Sequence, residues 1–207
     1  MVMLPGAAMR AHDFRERGLV QALHAHAPDI DAVMVEVDAG EYVPATFGKR
    51  LQGEVLGPLR ERGYRHVWLA GISLGAYGAL RLLQEGAEDV AGVLLLSPFL
   101  ATRGTVARVL DNGGLDCWVP LPAQRAGDDE SLLCWLKDHL LPANLARKFY
   151  LGWGTDDRYA DAGRLLAARL PHDQVFSRPG DHDWPTWAVL WQDMLAAVPF
   201  ATTGRPQ

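Results

Sequence analysis

Cysteine, serine and long apolar runs are all scarce in this chain of 207 residues. Two cysteines, Cys117 and Cys134, are too few for a disulfide framework and read as reduced, partly buried thiols. The longest apolar runs, such as Val93 to Leu96, are far too short to span a bilayer. Positive charge is not concentrated anywhere. The formal charge is −5, Lys and Arg are spread along the chain, and no basic stripe interleaves with aromatics, so nucleic acid is not an expected partner. No leader is expected before the fold, because Val2-Met3-Leu4 already reads as a strand, and a cytoplasmic location follows by default. There is no internal repeat, no low-complexity run and no signal for an oligomeric state. What is present is the balance of an ordinary globular protein. Apolar residues make up 49% and charged residues 22%, enough for a real core in a single domain over residues 1–207.

Short apolar runs alternate with helical periodicity. Strands are expected at Met1–Leu4, Ala32–Val37, His66–Ala70, Val90–Leu96, Lys148–Trp153 and Gln174–Ser177. Helices are expected over about 13–27, 46–62, 73–86, 160–170 and 185–197. Strands that are apolar on nearly every residue imply a parallel sheet covered on both faces. The expected fold class is therefore α/β: a doubly wound, mostly parallel, six-stranded sheet. Right-handed crossovers then bring all six strand C-termini to one edge, where such a sheet places its site. Residues 98–145 break the rhythm with several prolines, the pair Gly113-Gly114 and the acidic patch Asp128-Asp129-Glu130. A segment that long without a clean βα unit reads as a lid-like insertion within the domain.

Gly71-Ile72-Ser73-Leu74-Gly75 matches Gly-x-Ser-x-Gly, a pattern expected by chance about 0.04 times with 21 glycines and four serines. It sits where the strand HVWLA ends and a small-residue helix begins, the context of a nucleophile elbow. A serine in so tight a turn needs neighbours without bulk, which Gly71 and Gly75 supply. The helix N-terminus also aims its dipole at the oxygen that becomes negative in acyl transfer. The spacing of Gly71, Gly75 and Gly78 is not that of a dinucleotide-binding loop, and the lysine of a phosphate-binding loop is missing.

A serine hydroxyl needs a base. Of seven histidines, His66 and His172 precede strands and fall at the wrong edge, His24 and His26 lie on a surface-like helix, and His139 lies in the 98–145 segment. His12 borders the site edge. His182, in the turn after the last strand, lies at the correct edge and downstream of any acid, so it is the preferred base. The acid should follow the fifth strand, where Asp156 and Asp157 are both candidates; the Gly-x-x-Asp spacing from Gly154 favours Asp157. An oxyanion hole would use the Leu74 N–H and one from the Pro5–Ala8 loop, Ala7 or Ala8, with Ala7 preferred. Tyr42, Trp118 and Trp135 are candidate substrate-binding residues, the last two from the lid-like segment. Trp184, Trp187 and Trp191 recur at helical spacing and read as core. No second histidine stands at ligand spacing from Asp181-His182-Asp183, so neither a metal nor any cofactor is expected.

These residues resemble the α/β-hydrolase superfamily. The ending Gly180-Asp181-His182-Asp183-Trp184-Pro185-Thr186-Trp187 is similar to the His-Asp-Trp-x-x-Trp region of its esterase D-like and enterochelin-esterase-like branch, which also holds mycolyltransferases. The resemblance covers most of the chain outside residues 98–145. It implies a minimal version without the two extra N-terminal antiparallel strands, a strand order 2-1-3-4-5-6, and a Ser73-His182-Asp157 triad. The implied activity is cleavage of a small-molecule carboxylic ester or thioester through an acyl-enzyme. Two other readings stand beside it: an acyltransferase using the same triad, and a non-catalytic binding protein of the same fold. Pro5-Gly6 replaces the family's usual His-Gly pair in the oxyanion loop, and Gly180-Asp181 replaces the Gly-Gly pair often found before the histidine.

Overall fold

Six strands line up in the order β2-β1-β3-β4-β5-β6, and every pair is parallel. The computed structural model describes residues 1–44, 46–87, 90–120, 128–140 and 149–200. The strands are β1 (Val2–Leu4), β2 (Val33–Met34), β3 (Val67–Ile72), β4 (Val90–Leu96), β5 (Phe149–Gly154) and β6 (Val175–Arg178). β1 is thus an interior strand, set between the edge strand β2 and β3. Val2, Met3 and Leu4 have no exposed surface, because β2 and β3 flank them and helices cover both faces.

Alternation along each strand splits the core into two layers. Val2, Leu4, Leu69, Val93, Leu95, Phe149 and Leu151 point to one face, while Met3, Ala70, Ile72, Leu94, Leu96 and Tyr150 point to the other. The second face is covered by α1 (Asp13–Glu16), α2 (Leu19–His26) and α10 (Trp184–Ala197). The first is covered by α3 (Phe47–Leu51), α4 (Gly57–Glu61), α5 (Leu74–Gln84), α6 (Arg103–Asp111), α7 (Gly114–Cys117), α8 (Asp128–His139) and α9 (Ala160–Ala167). This is the doubly wound arrangement expected from the apolar strands. No helix among the described residues is long and apolar enough to cross a membrane.

The register fixes which residues share the site edge. Ile72 pairs with Leu96, Leu96 with Gly152 and Gly152 with Phe176. The turns that follow these four residues, carrying Ser73, Ser97, Asp157 and His182, thus leave the sheet on one rim.

The described part of 98–145 does not stand apart from the sheet. Val106 and Val109 of α6, Leu115 of α7, and Leu132, Leu133 and Leu136 of α8 all belong to the first core layer. Arg169, at the end of α9 where the chain turns back toward β6, donates to the Lys137 and Leu140 carbonyls and pairs with Asp116 at 2.7 Å. Residues 121–127 and 141–148 lie outside the described residues.

Candidate active site

Ser73 occupies the junction of β3 and α5 with φ 53° and ψ −112°, a backbone conformation that non-glycine residues rarely adopt. Backbone bonds pin the junction. The Ser73 N–H donates to the Leu96 carbonyl at 2.8 Å, and the Ser73 carbonyl accepts from the Phe99 N–H at 3.1 Å. The flanking glycines are obligatory for the reason read from the sequence. A Cβ on Gly71 would lie 2.4 Å from the Gly75 carbonyl oxygen, and one on Gly75 would lie 2.0 Å from that of Leu4.

That close approach also delivers the loop after β1 to the serine. A Cβ on Gly6 would sit 3.3 Å from the Ser73 Cβ, so Pro5–Ala8 borders the elbow. Ala7 and Ala8 are exposed there, and Ala8 has a positive φ of 59°. Leu74 opens α5, where a helix leaves its backbone N–H without an intrahelical acceptor.

His182 and Asp157 meet directly. The imidazole Nδ1 lies 2.7 Å from Asp157 Oδ2; the carboxylate is fully buried and the imidazole is 12% exposed. Asp157 Oδ1 accepts the Tyr159 N–H at 2.7 Å. Burial pushes the carboxyl group up and is the largest single effect, and the bond from His182 is the strongest of several that oppose it. With the Tyr159 N–H, the Ser97 hydroxyl and the charge of His182 added, the result is a carboxyl held below its ordinary value. Asp156 has a different task. Its carboxylate accepts the Gly180 N–H at 3.1 Å and its own N–H donates to the Gly180 carbonyl at 3.0 Å, stitching the acid turn to the histidine turn. Gly154 lets those turns touch, since a Cβ there would lie 2.3 Å from the Gly180 oxygen. The last helix is capped by Asp183, which accepts the Thr186 N–H at 3.0 Å, so His182 is free of that duty.

Rings enclose the imidazole. Tyr159 and Trp187 each meet His182 edge-to-face with centroids 5.0 Å apart. Phe99 touches Tyr159 and, on its other side, Tyr77, with centroids 6.1 and 5.9 Å apart. Trp187 is buried as the helical spacing implies, yet its Nε1 donates to the Ser97 hydroxyl at 3.0 Å. Ser97, Phe99, Tyr159 and Trp187 were not legible as site residues. The one available signal was position, since Ser97 and Phe99 directly follow β4 and Tyr159 stands two residues after Asp157.

Three expected substrate contacts are corrected. Tyr42 is fully buried, packs on Phe47 and donates its hydroxyl to the Pro5 carbonyl at 2.8 Å; it supports the loop from below instead of facing a substrate. Trp118 is 3% exposed within the first core layer, and its carbonyl accepts from Lys137 Nζ at 2.8 Å. Trp135 packs against the same layer and stacks on His139 at 5.3 Å. The Arg169 contacts tie this end of α8 to the turn that leads into β6, at the rim where strands begin. Elsewhere, His12, Asp13 and Glu16 bring one potential ligand atom each within 4.8 Å at the solvent-facing start of α1, which three polar residues at a helix start commonly do without an ion.

No protein-family model matches the sequence, and no curated protein matches it. Solved structures do match. The chain is similar to the fluorophosphonate-binding serine hydrolase FphF of Staphylococcus aureus, with a TM-score of 0.65 and 17% identity over 95% of this chain and 82% of that one. It is similar to the S-formylglutathione hydrolase FrmB of the same organism, with a TM-score of 0.64 and 18% identity over 94% and 78%. A ferulic acid esterase follows at 0.56 and 18% identity over 95% and 83%. At such identities the likeness speaks for architecture alone. Together with the strand order and the serine turn after β3, it shows that the chain has the α/β-hydrolase fold.

Proposed function

We propose that this chain is a serine hydrolase that cleaves a carboxylic ester or thioester of a small molecule through an acyl-enzyme. Ser73 is the nucleophile, His182 the general base and then acid, and Asp157 the group that orients the imidazole. The observation that carries the reading is the 2.7 Å bond between His182 Nδ1 and the buried Asp157 carboxylate, on the same rim as the strained Ser73 turn. With Nδ1–H given to Asp157, Nε2 is left as an acceptor. Ser73 Oγ attacks the carbonyl carbon and its proton passes to Nε2. The tetrahedral oxyanion is held by the N–H groups of Leu74 and Ala7. Collapse breaks the bond to the alcohol or thiol, which leaves with the proton from His182. Water, deprotonated by the same imidazole, then releases the acid and restores the serine. The ring-lined edge of Phe99 and Tyr159 suits an apolar substrate group. Neighbours of the same fold named as S-formylglutathione hydrolase and ferulic acid esterase cleave a thioester and an ester, which supports that substrate class. The Gly180–Trp187 ending supports reading the chain as a member of the esterase D-like branch.

Treatment with a fluorophosphonate followed by peptide mapping is expected to find the label on Ser73. Ser73→Ala is expected to abolish both labelling and hydrolysis of a short p-nitrophenyl ester without unfolding the protein. Unchanged turnover in that variant would remove the reading.

A further inference from the structure

The loop after β1 has few hydrogen-bond donors to offer beside Ser73. Pro5 carries no N–H. The Gly6 N–H is already taken, because it donates to the Met9 thioether with Sδ 3.1 Å away. Among the described residues, the N–H groups of Ala7 and Ala8 meet no acceptor. The two peptides that lead up to Ala7 are held at three points. The Pro5 carbonyl and the Gly6 N–H are opposite ends of one planar peptide. Its oxygen accepts the Tyr42 hydroxyl at 2.8 Å, and its N–H reaches Met9 Sδ. The next peptide joins the Gly6 carbonyl to the Ala7 N–H, and its oxygen accepts the Met9 N–H at 3.2 Å. In a trans peptide the N–H points away from the C=O, so the Ala7 N–H is turned away from the Met9 backbone.

We infer that Tyr42 and Met9 are positioning residues, which clamp the Pro5–Gly6 peptide and so keep the Ala7 N–H aimed at the oxyanion formed on Ser73. This inference rests on the serine-hydrolase reading above but concerns two side chains outside the triad and its oxyanion donors. Both side chains are anchored. Tyr42 has no exposed surface and lies against Phe47 with ring centroids 4.8 Å apart. Its ring also fills the space beside Gly78 of α5, where a Cβ would come within 2.4 Å of it. The tyrosine thus ties the loop to the helix that supplies the Leu74 N–H, and both proposed donors are fixed to one element. Met9 is 8% exposed, and its Sδ would lie 2.9 Å from a Cβ on Gly6, so the thioether closes over the glycine. Such a hold has a purpose here. Gly6 is conformationally free by nature, and Ala8 sits at a positive φ of 59°. A donor that must reorient as charge develops loses part of its stabilising effect, whereas one already in place does not.

The test compares the full chain with Tyr42→Phe, which removes only the hydroxyl, and Met9→Leu, which keeps the bulk and removes the sulfur. The readouts are kcat and KM on p-nitrophenyl acetate and inhibition by butylboronic acid, which becomes a tetrahedral anion when its boron bonds a serine oxygen. The clamp predicts that kcat falls on the order of tenfold in Tyr42→Phe with KM little changed, less than the roughly 10²- to 10³-fold that loss of a whole oxyanion donor costs. It predicts a smaller fall of the same kind in Met9→Leu, because a thioether is a weak acceptor. Boronate inhibition is expected to weaken in step with kcat, since a transition-state mimic depends on the same donor. Wild-type kcat and wild-type boronate inhibition in both variants would overturn the clamp. A raised KM at unchanged kcat would do the same, as would a lowered kcat with boronate inhibition intact. Urea midpoints identify a variant that has not folded, and the other variant then decides. A wild type that neither turns over the ester nor takes the fluorophosphonate sinks the hydrolase reading and the clamp with it, whereas an active wild type with indifferent variants sinks the clamp alone.

Discussion

Asp157 meets two demands that ordinarily conflict, complete burial and a negative charge. Burial favours the neutral acid, yet donors from His182, Tyr159 and Ser97 hold the carboxyl below its ordinary value. The sign of the pH effect follows. A carboxyl lowered by folding stabilises the folded chain at pH values above the ordinary carboxylate range, about 4, and that contribution is lost as the pH falls through the lowered value. Urea midpoints of wild type and Asp157→Asn are therefore expected to differ most near neutral pH and to converge in acid; a gap that stays constant with pH would contradict this. The same substitution is expected to lower kcat on the order of 10³- to 10⁴-fold, by allowing the wrong imidazole tautomer. Asp157, the candidate that the Gly154 spacing favours, is the aspartate that meets His182, and Gly154 itself lies against the Gly180 turn. Ser97 was not legible, because its partner Trp187 comes from a distant part of the chain and a lone serine at a strand end carries no pattern.

At the level of elements, the elbow depends on how closely α5 and the loop after β1 approach each other. Gly75→Ala would drive a methyl group into the Leu4 and Pro5 carbonyls, which are backbone and cannot step aside. The expected cost is on the order of 1–3 kcal/mol by chemical denaturation, with a matching fall in the fluorophosphonate labelling rate. Wild-type stability in that variant would mean the contact is looser than described. Such contacts explain which boundaries were readable. β4 spans Val90–Leu96 as its unbroken apolar run implies. β2 shrinks from the expected 32–37 to Val33–Met34, an edge pair that is only half-buried and has a single neighbouring strand. The helix expected over 13–27 divides at Gly18, whose φ of 82° ends one turn and starts the next. The helix over 46–62 is continuous but widens into a π turn at Gln52–Leu56, just before Pro58. A proline has no N–H for the preceding turn and crowds the carbonyl four residues back, and the wide turn accommodates both.

For the whole molecule, the question is whether residues 98–145 behave as a lid or as part of the fold. The irregular sequence suggested a lid because its helical periodicity is interrupted by prolines and paired glycines, and such local signals do not reveal what the helices pack against. We propose that the described helices of this segment, α6, α7 and α8, belong to the crossover between β4 and β5 and fold with the sheet. Leu132, Leu133 and Leu136 have no exposed surface, and they share a core layer with Leu80 and Leu82 of α5 and Leu165 and Leu166 of α9. Lys137 donates to the Leu115, Asp116 and Trp118 carbonyls, and Arg169 ties α7 and α8 to the end of α9, so polar contacts reinforce the apolar ones. A lid that opens must expose what lies beneath it, and here that would be the core itself. Leu133→Ala is therefore expected to lower the global unfolding free energy by about 2–5 kcal/mol, the usual cost of such a truncation in a packed interior. Unfolding should remain one transition, and the backbone amides of α8 should exchange with solvent only as slowly as those of β3 and β4. Amides of α8 that exchange far faster than the strands, with the stability of the sheet untouched by the substitution, would instead show a segment that detaches on its own.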